Sequence, residues 1–289
     1  MSRYAHVAGL EIGGGIYTWD TDRTMLYAVG VGAGLHDNLD ELQFTTENTP
    51  GVAQQVIPGF ATVMNMAGDF IEPLGWGGPG EYPVGMVHGE QSVTLLQPIP
   101  PAGTVLMRRR FEDVYDKGSG ALVVMVTEME LPDGQPLGST RMSLFVQGKG
   151  NFGGPRGPAG GSPAWPEPER EPDCVVSFPI GLNQSLIYRL MGDHREHGTV
   201  PQNARADGFE RPVFYGLGSY GVACRALIKG LCGGDAARFG HMEVRFAKPV
   251  YPGDRLDTLI WRTDDGAQFR VMANGERISL DRGVFRYRA

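Results

Sequence analysis

The sequence predicts an α+β protein made of two copies of one unit, each a curved antiparallel sheet wrapped around a central helix. Three observations carry that prediction. A pattern recurs: His88-Gly89-Glu90 leads through QSVTLLQPIPPAG to Gly103, and His241-Met242-Glu243 leads through VRFAKPVYPG to Gly253. Both read His-x-Glu, an alternating strand, Pro-[Ile/Val]-x-Pro and a glycine that turns the chain into another strand. Self-similarity on this scale is the mark of a duplicated fold. Next, long runs alternate apolar and polar residues as half-buried strands do: residues 104–116 (TVLMRRRFEDVYD), 121–131 (ALVVMVTEMEL), 139–148 (STRMSLFVQG) and 254–264 (DRLDTLIWRTD). Finally, a Pro-led, small-residue helix candidate precedes each repeat, at residues 58–68 (PGFATVMNMAG) and 212–227 (PVFYGLGSYGVACRAL). One helix with several strands per unit is an α+β arrangement. A helix carrying Gly216, Gly218, Gly221 and Ala223 has little side-chain bulk, so it is expected to lie close against its sheet.

Between the halves, residues 148–172 (GKGNFGGPRGPAGGSPAWPEPEREP) have no hydrophobic period and are broken throughout by Gly and Pro. Such text buries too little surface to offset its ordering entropy, so it reads as a linker. The expected organisation is an N-terminal unit over 1–148, a linker over 149–172 and a C-terminal unit over 173–289. Halves of about 150 and 120 residues fall within the usual domain range.

Composition excludes several classes. A chain of 289 residues with 41% hydrophobic and 20% charged residues has the makeup of a globular protein with a real core. The net charge of −7 argues against nucleic acid as the main partner, since phosphate binding needs clustered Lys and Arg. The one basic run, Arg108-Arg109-Arg110, is expected at a strand end as a solvated or anion-contacting edge. Cys174, Cys224 and Cys232 have no metal-ligand or disulfide-framework spacing, which predicts no metal site and a reducing cytoplasm. The N-terminus lacks the pattern of a signal peptide, and no apolar stretch reaches the roughly 20 residues that span a bilayer. The Gly-rich segments are not followed by a helix inside a βαβ unit, so no nicotinamide or flavin fingerprint is met.

Blocks of sequence along nearly the whole chain match one family. In the first half these are YAVGVGAG (27–34), VIPGFATV (56–63), MVHGEQ (86–91), PIPPAGT (98–104), DVYDKGSGALVV (113–124) and GNFGGPRGP (150–158). In the second they are YRLMGD (188–193), GFERPVFYGLGSYG (208–221), CRAL (224–227) and VRFAKPVYPGD (244–254). The chain resembles the MaoC-like double hot-dog proteins, in particular the hydratase 2 group, the (R)-specific 2-enoyl-CoA hydratases. The resemblance implies an acyl-CoA-type thioester substrate, CoA only as part of that substrate, no other cofactor and a homodimer. It also implies a non-catalytic first half with room for the acyl tail, for which the glycine-rich residues 71–86 would suit a pliable wall, a plain surface loop being the equal alternative.

The family signature continues after Gly-Asp as x-Asn-Pro-Leu-His, with the aspartate and that histidine as the catalytic pair. Read without a gap, Asp193 is kept, Arg195 replaces the asparagine, Glu196 the proline and His197 the leucine, and Gly198 stands at the histidine. The family's Pro-Ile-Leu-His-Gly becomes Pro212-Val213-Phe214-Tyr215-Gly216. Hydrating a 2-enoyl thioester needs a base for water attacking C3, an acid at C2 and a donor for the enolate-like oxygen. Asp193 is the candidate base, against the reading of a loop aspartate capping its own turn. The Gly216 N–H is the candidate oxyanion donor, because a helix N-terminus favours developing negative charge. His197 is the candidate partner if the loop shifts by a residue, with His194 a weaker substitute; a solvated loop histidine is the other reading. Glu196 is a candidate second carboxylate, against an exposed loop glutamate beside Arg195. Tyr215 is the candidate substrate contact, against packing at a tunnel wall. The matching places of His88 and His241 predict a structural role at strand entry. Two rival readings stay open, a different reaction on a related thioester or polyketide-like substrate, and a catalytically weak partner within an enzyme complex.

Overall fold

Asp20 opens the first helix by accepting a hydrogen bond from Arg23 N at 2.9 Å, the arrangement that satisfies an otherwise unpaired first-turn amide. The computed structural model describes residue 4 and residues 6–64, 72–76, 85–159, 161 and 164–288. In chain order the first half runs β1 (Glu11–Trp19), α1 (Thr21–Gly30), α2 (Leu42–Thr45), a 3₁₀ turn (Pro58–Thr62), β2 (Met86–Leu95), β3 (Gly103–Asp116), β4 (Gly120–Glu130) and β5 (Pro136–Gln147). The second runs β6 (Cys174–Pro179), α3 (Gln184–Tyr188), α4 (Pro201–Ala206), α5 (Gly216–Cys232), β7 (Phe239–Phe246), β8 (Arg255–Thr263), β9 (Gly266–Ala273) and β10 (Arg277–Tyr287).

The strands form one antiparallel sheet of ten in the order β1-β3-β4-β5-β2-β7-β10-β9-β8-β6. The first five and the last five repeat one topology, and the halves join where β2 pairs with β7. At that seam Gln91 faces Val244 and Val93 faces Met242. The chain is thus a double hot-dog. Its alternation decides what faces inward: Val105 and Met107 on β3 and Met129 on β4 join the main core. A second cluster in the first half gathers Tyr4, Val7, Leu74 and Trp76 against Phe111, Val123 and Leu144.

The structure corrects four expectations in detail. Arg108, Arg109 and Arg110 lie within β3, not at its end; Arg108 and Arg110 pair outward with Glu130 and Glu128, while Arg109 is buried. The helix expected from residue 58 is a 3₁₀ turn over Pro58–Thr62, and residues 65–68 lie outside the described residues. Most of the expected wall at 71–86 lies outside them too. The helix expected from residue 212 begins at Gly216, runs 17 residues and ends on Gly233 in the left-handed conformation (φ 67°) that glycine tolerates. Its glycines face helices as well as sheet: a Cβ on Gly221 would lie 2.6 Å from the Tyr27 hydroxyl, so Gly221 is what admits α1. Gly230, by contrast, does meet the sheet, at Ile260 and Val176.

Residues 148–172 lack regular structure yet are pinned to both halves. Asp116 accepts hydrogen bonds from the backbone N–H of Asn151 and Gly153 at 2.9 Å each. Trp165 donates to Gly283 O at 3.0 Å, and Arg270 forms a two-point ion pair with Glu167. A buried charge joins the halves more firmly. Arg225 of α5 donates to Val31 O at 2.6 Å, grips Glu41 through both nitrogens of its fork and lies 4.0 Å from the Phe178 ring centroid.

Candidate active site

The chain reaches Asp193 through a turn that the first half holds in place. After α3 a 3₁₀ turn spans Arg189–Met191, and Arg23 of α1 donates to Leu190 O and Met191 O at 2.8 and 2.7 Å. Gly192 then takes φ 111°, a conformation a side chain would strain, and swings Asp193 inward. Asp193 is only 2% exposed. Arg195 meets it with a fork, Nε to Oδ1 at 2.9 Å and Nη2 to Oδ2 at 3.1 Å, the bidentate geometry that makes such pairs strong and directional. The Arg195 side chain is itself half-buried, so the pair sits at a boundary between interior and solvent.

One run of contacts ties this carboxylate to the start of α5. The Tyr215 hydroxyl donates to Arg195 O at 2.8 Å, and Tyr215 is the residue before Gly216. Tyr215 is buried, its ring 5.5 Å from that of Tyr188, whose own hydroxyl is buried without a hydrogen-bond partner among the described residues. Burial, and then the charge of Asp193, push the Tyr215 and Tyr188 hydroxyls above the ordinary phenol range, so both stay protonated. Gly216, in contrast, is exposed between buried neighbours, with Phe246 packed beside its Cα. Its amide and those of the first turn have no partner within the helix, which leaves a donor-rich, electropositive mouth.

Gly198 explains two departures from the family pattern at once. A Cβ there would lie 2.6 Å from Cε2 and 2.7 Å from Oη of Tyr215, so no side chain fits at 198 while the tyrosine stands at 215. His197, next to it, turns Nδ1 towards Asp207 Oδ2 at 3.5 Å and packs its ring against Tyr215 and Phe209 at 5.7 and 5.9 Å. Burial, and then the Arg195 charge, push His197 below the ordinary imidazole range. Of the four residues singled out from the sequence, Asp193, Tyr215 and Gly216 lie along the single run of contacts, and His197 packs on that run from the side of Asp207.

Sequence reasoning missed an asymmetry between the halves. His88 and His241 are matched in sequence but not in space. On β2 the register with β5 shifts between His88 and Glu90, leaving Gly89 as an extra residue. A bulge of this kind reverses which face the residues beyond it present. His88 therefore pairs with Leu144 on the inner face and sets its ring 4.6 Å from that of Phe246. His241 has the opposite parity to core residue Met242 and bonds Thr94 Oγ1 at 2.8 Å on the outer face. His88 Nε2 lies 3.0 Å from Glu90 O; a carbonyl only accepts, so Nε2 carries the proton and Nδ1 is the lone-pair nitrogen. Burial, reinforced by Arg195, pushes His88 down to about 3 against smaller opposing effects of the Glu90 carbonyl and Asp193. The glycine inside a strand was the one available signal.

Among the described residues no group of three or more His, Cys, Asp or Glu side chains could hold a metal ion. No helix among them is long and apolar enough to cross a membrane.

Comparison with known proteins agrees with this architecture. Residues 17–148 match the MFE-2 hydratase 2 N-terminal domain, and residues 164–279 match the MaoC like domain. The chain is 39% identical to 3-hydroxyacyl-thioester dehydratase Y of Mycobacterium tuberculosis over 94% of each chain. It is 36% identical to the enoyl-CoA hydratase ChsH3 of the same organism, over 85% of this chain and 84% of that one. The crystal structure of a MaoC-like dehydratase from Phytophthora capsici superposes with a TM-score of 0.83 at 31% identity, covering 96% and 95% of the two chains.

Proposed function

The chain belongs to the MaoC-like hydratase 2 family, and from that premise we propose that it is a hydro-lyase adding water to, or removing it from, C2–C3 of an acyl-CoA-type thioester. The carrying observation is the run from Asp193 through Arg195 and Tyr215 to Gly216, which links a buried carboxylate to an open helix N-terminus. In the hydration direction, the Asp193 carboxylate accepts a proton from water as the water oxygen bonds C3. The C2–C3 π pair moves towards the thioester oxygen, which the Gly216 N–H holds as it gains charge. Asp193 then returns the proton to C2, giving the 3-hydroxyacyl thioester. A carboxylate has about four lone-pair sites, so the Arg195 fork leaves room for water. Arg195 orients the Asp193 carboxylate through its fork, and Tyr215 braces the loop and borders the acyl group. His197 steadies the loop through Asp207.

The first half accommodates the acyl tail. CoA enters only as part of the substrate, no other cofactor takes part, and the protein works as a homodimer in the cytoplasm. A second reading, a different elimination or isomerisation on a related thioester, draws on the filled position at Gly198 and on Arg195 in place of the family's asparagine. A binding partner with little turnover is the third.

The test is incubation with crotonyl-CoA and with a long-chain enoyl-CoA, following loss of the conjugated absorbance. The proposal expects turnover of at least one substrate and a fall of roughly 10²–10⁴ in kcat for Asp193→Asn. Tight binding without turnover supports the partner reading, and an inert wild-type protein with a different product from a related thioester supports the second.

A further inference from the structure

The site has a carboxylate and an oxyanion donor, but the family's imidazole position in the loop is closed: Tyr215 fills the space at 198, and His197 Nδ1 turns to Asp207. An imidazole arrives from the other half. His88 stands on the inner face of β2, beside the seam where β2 pairs with β7. Its ring packs on Phe246, and Phe246 in turn lies 3.4 Å from where a Cβ of Gly216 would be. Asp193 and Arg195 are within electrostatic reach of it, and the Gln91 side chain is a hydrogen-bond neighbour of its ring.

We propose that His88, supplied by the first half, holds the attacking water through Nδ1 so that Asp193 can take its proton. The inference rests on the hydro-lyase reading above and adds a residue to it. The Glu90 carbonyl fixes the tautomer by accepting from Nε2–H, which presents Nδ1 as an acceptor. That nitrogen accepts a hydrogen bond from one O–H of the water, the other O–H gives its proton to Asp193, and the oxygen bonds C3. His88 neither gains nor loses a proton over the cycle, so the balance of the reaction is unchanged. Holding water in this way calls for an acceptor that stays neutral, and burial and the Arg195 charge both disfavour the imidazolium. The half called non-catalytic thereby completes the site through a one-residue bulge at Gly89.

The experiment measures enoyl-CoA hydration by His88→Ala, His88→Gln and the outer-face control His241→Gln, with and without added imidazole. The expected result is a fall of roughly 10² in kcat for both His88 variants. Added imidazole is expected to restore part of the loss in His88→Ala, with product affinity by calorimetry and the circular dichroism spectrum unchanged; His241→Gln should match the wild type. Should His88→Ala fail to fold, His88→Gln, which retains a donor for Glu90 O, decides the matter by its kcat. Wild-type kcat in a folded His88 variant, or a loss in folded His88→Ala that imidazole does not relieve, overturns the inference and leaves the hydro-lyase reading standing. An inert wild-type protein overturns both.

Discussion

The two halves share one strand order and differ in what fills the concave face. In the second half a 17-residue helix occupies it, almost wholly buried, with its open end at Gly216 beside the Asp193 loop. In the first, the described residues place a short 3₁₀ turn at Pro58–Thr62 and a separate apolar cluster around Trp76 and Phe111. Duplicated sheets therefore play unequal parts. One half builds a helix terminus able to steady negative charge, and the other lends side chains across the seam. Arg23 fixes the turn before Asp193, Glu41 neutralises Arg225, and His88 packs its ring on Phe246.

That division of labour can be broken where the halves touch. The largest stability effect is expected at the buried ion pair. Arg225→Ala leaves Glu41 uncompensated and α5 without its grip on Val31, and breaking such a pair costs about 3–5 kcal/mol. The unfolding free energy from urea titration should fall accordingly, whereas Lys229→Ala, which removes the exposed partner of Asp40, should lower it by about 0–1 kcal/mol. Equal effects would mean that Arg225 does not join the halves.

A smaller effect is expected at Gly198. Gly198→Ala drives a methyl group into the Tyr215 ring, and overpacking of this kind costs about 1–3 kcal/mol. Replacing the ring in the double variant Gly198→Ala/Tyr215→Leu should return most of the steric part, so the two changes should be strongly non-additive in a double-mutant cycle. Additive losses would show that the two positions are independent.

A further effect lies in acid stability. The folded pKa of His88 sits near 3 and that of His197 is also lowered, so the unfolded chain binds their protons first as pH falls below the ordinary imidazole value of about 6.5. Their contribution to stability is intact above that value and declines as pH falls towards 3. The melting temperature should therefore drop less between pH 7 and pH 4 in His88→Gln than in the wild type; an identical drop would mean the ring is not held neutral.

Much of this was legible from sequence because the determining pattern is local. Period-two alternation located β3, β4, β5 and β8, and the repeated His-x-Glu and Pro-[Ile/Val]-x-Pro text revealed the duplication. What escaped depends on register or on distant partners. A one-residue bulge at Gly89 turns His88 inward and leaves His241 outward, although the two motifs read alike. Residues 148–172 look unanchored until Asp116, Gly283 and Arg270 come from strands far along the chain to hold them. Gly198 and Tyr215 look like two separate losses in sequence, and only their contact makes them one exchange of volume.

The most direct measurement is a crystal structure with a non-reactive acyl-CoA analogue that keeps the thioester carbonyl. The account predicts that carbonyl oxygen on the Gly216 N–H, with C3 facing both the Asp193 carboxylate and the His88 ring. An acyl group bound elsewhere, or Asp193 and Gly216 opening onto separate cavities, would contradict it.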